Sequence, residues 1–518
     1  QSLTADGTSA DFARYTFPGA TPASVAASNR CFATTAALTG YPLAAPTFIG
    51  QTPVPFIFDP ATGSTFGAYS PTTCDGTQLQ TRKQKDVSAE VRYASTTGGP
   101  IDWSVGLYYL NIDRETGVSL GADLGQGVLP TLYNGPGSTN PTSQLFNDRF
   151  RTDVYAAFGN IDWKPVDQLT LGVALRYDIE RRRAENLVPF VTDPITGGPI
   201  NPGQAGGPIP PAANTFKQLQ PKVTLTFKPN DDTALFANWG VGFKAGGFNN
   251  QGSAAIVNNN FNNGVTPGTI NAGVTINDQY RLERSSAFEA GIKGSLLDGR
   301  ITYDLAGYYT QVRDMQFFEF FVGGFGLLRV VSNIDRVDIW GGELNLTAKI
   351  VDGWTIFGSG NVTGSEIKRN ASRPDTVGNK SPYTADYTLN VGTQLSLPLN
   401  DALKANFRAD YRLTGPTWFH SVQDQEKPTL FSGLLPISAL GLPAVVGNAR
   451  YDVTRRDAFG IVNLRAGIEG RNWTATVFAN NLLDKLWLNE VIPAIEFGGS
   501  FISPGQRRVI GAELGFRF

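Results

Sequence analysis

At 518 residues the chain is long enough for several ordinary domains, and its formal net charge of −2 gives no electrostatic footprint for a nucleic-acid partner. Glycine (58), phenylalanine (33) and tyrosine (17) are abundant, whereas methionine and histidine occur once each. No apolar run reaches the ~18 residues of a membrane-crossing helix; strands, whose alternation keeps mean hydropathy modest, remain as the elements able to cross a bilayer.

In chain order, the first feature is a pair of cysteines, Cys31 and Cys74, the only two present. In an oxidising compartment they would form one disulfide; otherwise they are two free thiols. The chain starts at Gln1 with neither Met nor signal peptide, so a processed, trimmed or incomplete N-terminus is expected.

From Lys85 onward one pattern recurs. The stretch LTLGVALRYDIE places Leu169, Leu171, Val173, Leu175, Tyr177 and Ile179 on one face, with Arg176, Asp178 and Glu180 on the other. LKANFRADYR repeats it, with Phe407 and Tyr411 against Arg408, Asp410 and Arg412. A period of two over ten or more residues predicts a strand with an apolar and a polar face. About fifteen such segments are counted, many longer than the usual soluble strand of about five or six residues. Short links such as KPVDQ (164–168), VDG (351–353) and EGRN (469–472) alternate with long Gly/Pro/Asn-rich ones near 184–214, 244–281 and 415–458. The pattern predicts an all-β, antiparallel up-and-down transmembrane barrel with tight turns at one end and long loops at the other.

Two features favour membrane over a soluble sandwich. Trp103, Trp163, Trp354 and Trp473 all lie beside a short turn, as an interfacial girdle requires. Charges recur on the polar face of nearly every strand, which suits a wet or plugged lumen. Arg176, Asp178, Glu180, Arg408, Asp410, Arg412, Arg465, Glu469, Glu513 and Arg517 are expected to face it. In the loops, MQFFEFFVGGFGLL (315–328) is the most aromatic stretch and is expected at a loop tip. Phe317, Phe318, Phe320, Phe321 and Phe325 would cap the lumen, hold an apolar or aromatic ligand, pack among loops, or stand in a membrane-level outer girdle. His420, beside Trp418, reads first as an exposed loop histidine and more sharply as a ligand contact. With a single histidine, no G-x-S-x-G elbow near it, no zinc spacing and no calcium loop, no catalytic, metal or cofactor site is expected.

The closing strand RRVIGAELGFRF sets Phe516 and Phe518 on its apolar face. A terminal aromatic strand of this kind resembles the signal read by the barrel assembly machinery of bacterial outer-membrane proteins. Three segments resemble the TonB-dependent receptor family: LFANWGVGFKAGGFNN (235–250), VFANNLLDKLW (477–487) and SPGQRRVIGAELGFRF (503–518). Leu483, Trp487 and Arg507 depart from its commonest residues without disturbing the pattern. The resemblance covers about 85–518 and implies a 22-strand barrel around an N-terminal plug. It also implies an outer-membrane location amid lipid and lipopolysaccharide, work supplied by the TonB complex through the plug, and lumen charges that hold the plug.

Counted back from the C-terminus, the fifteen strands would be strands 8–22. Residues 1–84 would then be a long extracellular segment tied by the Cys31–Cys74 disulfide. The plug and first strands are expected elsewhere, on this gene or a separate chain, and Lys85–Thr96 is expected not to pair with Arg507–Phe518. The leading expectation is a non-enzymatic importer of a scarce solute of the siderophore, cofactor or glycan class. The alternatives are a structural or adhesive scaffold in a larger surface complex and a passive porin-like channel.

Overall fold

The computed structural model describes residues 2–4, 47–49, 52–54, 76–95, 98–122, 129–138, 141–192, 197–262, 275–323, 326–428, 448–494 and 499–517. Fifteen long strands form one sheet, with Ser2–Thr4 added as a sixteenth at its edge. In chain order they are β1 (Gly76–Ala94), β2 (Ile101–Ala122), β3 (Thr142–Val166), β4 (Leu169–Asn186), β5 (Ala212–Asn230), β6 (Thr233–Lys244), β7 (Glu283–Leu296) and β8 (Ile301–Gly323). There follow β9 (Gly326–Val351), β10 (Trp354–Arg369), β11 (Tyr387–Asn400), β12 (Leu403–Thr414), β13 (Phe459–Glu469), β14 (Trp473–Asn480) and β15 (Val509–Phe516). Each pairs antiparallel with the strands before and after it, an up-and-down meander.

The tight turns owe their form to local chemistry. Between β7 and β8, Leu297, Asp298 and Gly299 have φ of 54°, 54° and 79°. Left-handed turn residues match the right-handed twist of the flanking strands, and Asp and Gly tolerate them best. The opposite ends overhang. β3 has 25 residues and β9 has 26, and at ~3.3 Å per residue each far exceeds the ~30 Å hydrocarbon core.

The outer face is apolar and unburied: Leu107, Ile161, Val173, Leu305, Leu344 and Val477 are all exposed. The opposite face of the same strands carries charges such as Arg176 and Asp178, so lipid is the solvent this apolar face is built for. Trp103, Trp163, Trp354 and Trp473 stand on it beside the turns, 37–47% exposed. Further along, Tyr109 and Tyr155 lie 5.3 Å apart and Trp239 and Phe288 6.2 Å apart, marking the other girdle.

The sheet does not close on itself. Among the described residues, β15 pairs with β14 alone, and β1 meets β2 on one side and only Ser2–Thr4, at Thr77–Leu79, on the other. Lys85–Ala94 and β15 do not pair, as expected. β1 reaches back to Gly76, nine residues before Lys85. Cys31, Cys74, Phe325 and Phe518 lie outside the described residues.

Candidate functional site

The polar wall is a chain of short-range pairs on the face opposite the lipid-facing residues. Arg176 binds Asp178 at 2.8 Å, and Gln220 donates to Asp178 from the next strand at 2.6 Å. Arg182 binds Glu180 at 2.8 Å. On β12–β15, Arg408 lies 3.7 Å from Asp410, which also accepts from Asn463, and Arg465 donates to Glu513 at 2.6 Å. Glu469 accepts from Asn406 at 3.3 Å. Arg412 is exposed, and the Arg517 backbone N–H donates to the Asn472 carbonyl. Asp178 is 3% exposed, whereas the Arg465 and Glu513 side chains are 54% and 62% exposed. The wall is therefore knitted tightly near β4 and open to water near β13–β15.

The aromatic stretch is strand rather than loop tip, since β8 runs to Gly323 and β9 begins at Gly326. Its alternation inverts partway. Val312 and Phe317, five residues apart, share one apolar cluster with Ile334, Val337 and Ile367. An odd spacing on one face requires a flip, and Asp314, at φ 53°, supplies it. Above that point Phe317 and Phe321 are buried and Phe318 is exposed, with the Arg329 guanidinium stacked on its ring at 3.6 Å. Phe320 is half-buried. Glu319, a lone carboxylate among phenylalanines, meets Arg373 at 2.6 Å, both side chains 5% exposed or less, and accepts from Ser332 at 2.8 Å.

Loop 415–423 packs against the same face. His420 is 6% exposed, a difference from the exposed loop histidine expected. Its Nδ1 accepts the Val422 N–H at 3.1 Å, and the Phe317 ring stands edge-on at 6.3 Å. Burial, reinforced by the charge of Arg373, holds its pKa well below the ordinary range, so it is neutral. Trp418 is half-buried under the Arg455 guanidinium at 5.8 Å.

The glycine-rich stretch after β6 forms a strap on the long-loop side that reaches β9 and the overhang of β3. Gly246 passes so close to the Phe216 ring and the Tyr280 carbonyl that a Cβ would stand 2.4 Å and 2.6 Å from them. Gly247–Phe248 then pairs with Gln279–Tyr280. Phe248 packs with Phe150 and Ala184. The Asn249 amide engages Val331 as a strand backbone would, donating to its carbonyl at 2.9 Å and accepting its N–H at 2.8 Å.

Two carboxylates fasten the strap. Asp148 accepts from Asn186 at 2.9 Å and from the Gln251 N–H at 3.1 Å; Asp278 accepts the N–H groups of Gly252 and Ala254. Asp148 lies on the overhang of β3, seven residues beyond Tyr155 and outside the lipid-spanning part. Burial pushes its pKa up to about 7 and raises that of Asp278. Asn249, Asp148, Asp278, Glu319 and Arg373 were not singled out by sequence reasoning; the isolated Glu319 carried a readable signal, since a charge inside an apolar run calls for a buried partner.

Comparison with known proteins places this geometry. A family model described as TonB dependent receptor-like, beta-barrel matches residues 9–482. The pesticin receptor of Yersinia pestis is 22% identical over 339 residues, 64% of this chain and 44% of that protein. That of Yersinia enterocolitica is 24% identical over 236 residues, 45% of this chain and 29% of that protein. The ferric yersiniabactin uptake receptor FyuA from Yersinia pestis superimposes with a TM-score of 0.61 at 15% identity, covering 86% of this chain and 55% of that one. The ferric citrate transporter FecA gives 0.55 at 15% identity, covering 86% and 56%. At such identities the structural likeness carries the fold alone, and the chain spans less than half the length of the curated relatives it matches. With the family match running over most of its length, the chain belongs to the TonB-dependent receptors, the β-barrels of the bacterial outer membrane.

Proposed function

We propose that the complete receptor imports a scarce solute of the metal-chelate class, captured by the long loops and passed through the lumen by TonB-driven rearrangement of a plug. The step is binding and translocation, with no covalent chemistry. The observation that carries this reading is the ordered strap 246–254, tied down by Asp148, Asp278 and Asn249. A passive channel gains nothing from a loop ordered by a buried polar network, whereas a receptor needs ordered loops to recognise its cargo. Uptake and transport of ferric or copper species by structural neighbours support metal chelates over the cofactor and glycan classes.

On the same reading, the plug and further strands complete the sheet beyond β1 and β15, and the wall from Arg176 to Glu513 meets the plug. Half-exposed pairs such as Arg465–Glu513 suit a plug that must be held yet released, because solvated pairs contribute only about 0–1 kcal/mol each.

The test is equilibrium binding to the purified full-length receptor of ferric citrate, ferric hydroxamates, ferric catecholates, cobalamin and maltooligosaccharides, read by tryptophan fluorescence. One ferric class should bind at sub-micromolar concentration. Binding of none, with open-channel conductance in planar bilayers, would favour the porin reading. Binding of none, with a permanent stoichiometric protein partner, would favour the scaffold.

A further inference from the structure

We propose that Arg284, Arg313 and Arg336, on the outer face of β7, β8 and β9, form a site for the phosphate groups of a phosphorylated glycolipid in the surrounding outer leaflet. The inference needs the outer-membrane location but not the transport reading.

The register puts the three side by side: Arg284 is directly opposite Arg313, and Arg313 directly opposite Arg336. Opposed residues on an antiparallel pair have Cα atoms only about 5 Å apart, and like charges placed so destabilise the sheet. A row of three therefore costs stability unless an anion lies against it.

The face is the lipid-facing one. Counting back four residues from each arginine along its strand reaches Phe288, Tyr309 and Trp340, which are 50%, 39% and 43% exposed and mark the aromatic girdle. Four residues are ~13 Å along a strand, or about 10 Å along the membrane normal at the usual tilt. That is the level of the polar headgroups just outside the hydrocarbon.

Among the described residues the protein pairs only one of the three with a carboxylate. Arg336 is held by Asp338, Nη2 to Oδ2 at 3.0 Å. Arg313 has only the Gln311 amide oxygen, at 3.4 Å. Among the described residues neither Arg284 nor Arg313 forms an ion pair. The other nearby carboxylates are engaged elsewhere: Asp314 and Asp335 with Arg281 at 2.8 Å and 2.6 Å, Glu283 with Lys244 at 2.9 Å, and Glu366 with Lys368 at 2.5 Å. The contrast on β1–β3 is informative. There, at the corresponding level, Asp113 sits between Lys85 and Arg151 in register and binds Arg149, so that cluster is internally paired.

Arginine at all three positions, rather than lysine, suits phosphate, because the guanidinium fork binds two oxygens at once. The row spans two strand spacings, about 10 Å, wide enough for a bisphosphorylated headgroup.

The experiment compares full-length receptor and its Arg284→Gln/Arg313→Gln variant in nanodiscs of phosphatidylethanolamine. Bisphosphoryl lipid A, dephosphorylated lipid A and inorganic phosphate are added separately, and lipid retention is read by native mass spectrometry. Wild type should retain bisphosphoryl lipid A selectively, and the variant should bind it at least about tenfold more weakly, having lost two guanidinium–phosphate contacts. In phosphatidylethanolamine alone the variant should melt at the same temperature as wild type or higher, since repulsion has been removed. Equal retention by the two proteins, equal saturation by inorganic phosphate, or a variant that melts lower without the lipid would overturn the proposal.

Discussion

Burial lifts Asp148 to about 7 even though its oxygens accept hydrogen bonds from Asn186 and from the Gln251 backbone. In the unfolded chain the group titrates near its ordinary 3.8, so folding favours the protonated form. Its contribution is complete below about pH 4 and is lost as pH rises toward 7, where the docked strap must hold a charged carboxylate. Asp278 is shifted in the same direction. Amide exchange of residues 251–257, corrected for intrinsic rate, should be slower at pH 6 than at pH 8, and Asp148→Asn should flatten the difference; equal protection in wild type at both pH values would contradict it. The Glu319–Arg373 pair makes a different claim. Glu319→Gln breaks the buried ion pair with Arg373, a loss of about 3–5 kcal/mol. Loop 370–378 should open and become protease-sensitive while the strands stay protected. A variant as resistant as wild type would show that the pair does not hold the loop.

At the scale of elements, Gly246 fixes how the strap leaves β6. A methyl group there meets the Phe216 ring and the Tyr280 carbonyl, and a backbone neighbour cannot move aside as a flexible side chain can. Gly246→Ala should cost on the order of 1–3 kcal/mol, seen as faster exchange at Gly247–Gln251 with β5 and β6 unchanged; wild-type exchange would mean the strap shifts freely. The strands themselves were legible because lipid on one side and a wet lumen on the other impose strict alternation, as in 169–180 and 403–412. The parts above the girdle were not. On β3 there, Leu145 and Phe146 are both buried although they point to opposite faces, so alternation no longer reports exposure, and the inversion at Asp314 depends on one φ that the residue type permits but does not demand. His420 fell to the same limit: its burial comes from Phe317 and Arg373, more than 40 residues away. Asn249 was visible as part of an asparagine-rich loop, yet its engagement with Val331 is a contact across 82 residues. Cross-strand register likewise turns three arginines that are far apart in sequence into one row.

For the whole molecule, the sheet's two free edges are the dominant physical fact. Unpaired backbone groups in hydrocarbon cost several kcal/mol each, so on the proposed reading residues 80–94 of β1 and 509–516 of β15, unpaired on one side among the described residues, take partner strands in the membrane. The account predicts that cysteines placed on β1 and on a strand outside residues 1–518 crosslink in the intact receptor. A crosslink between Ala89 and Ala512 positions instead would mean that β1 closes on β15. Energised import can be measured as uptake of radioiron chelate into cells whose other iron receptors are deleted and which express the full-length receptor. Accumulation should depend on the receptor and stop when TonB is removed or the proton-motive force is collapsed. Accumulation that continues unchanged without either would contradict the account.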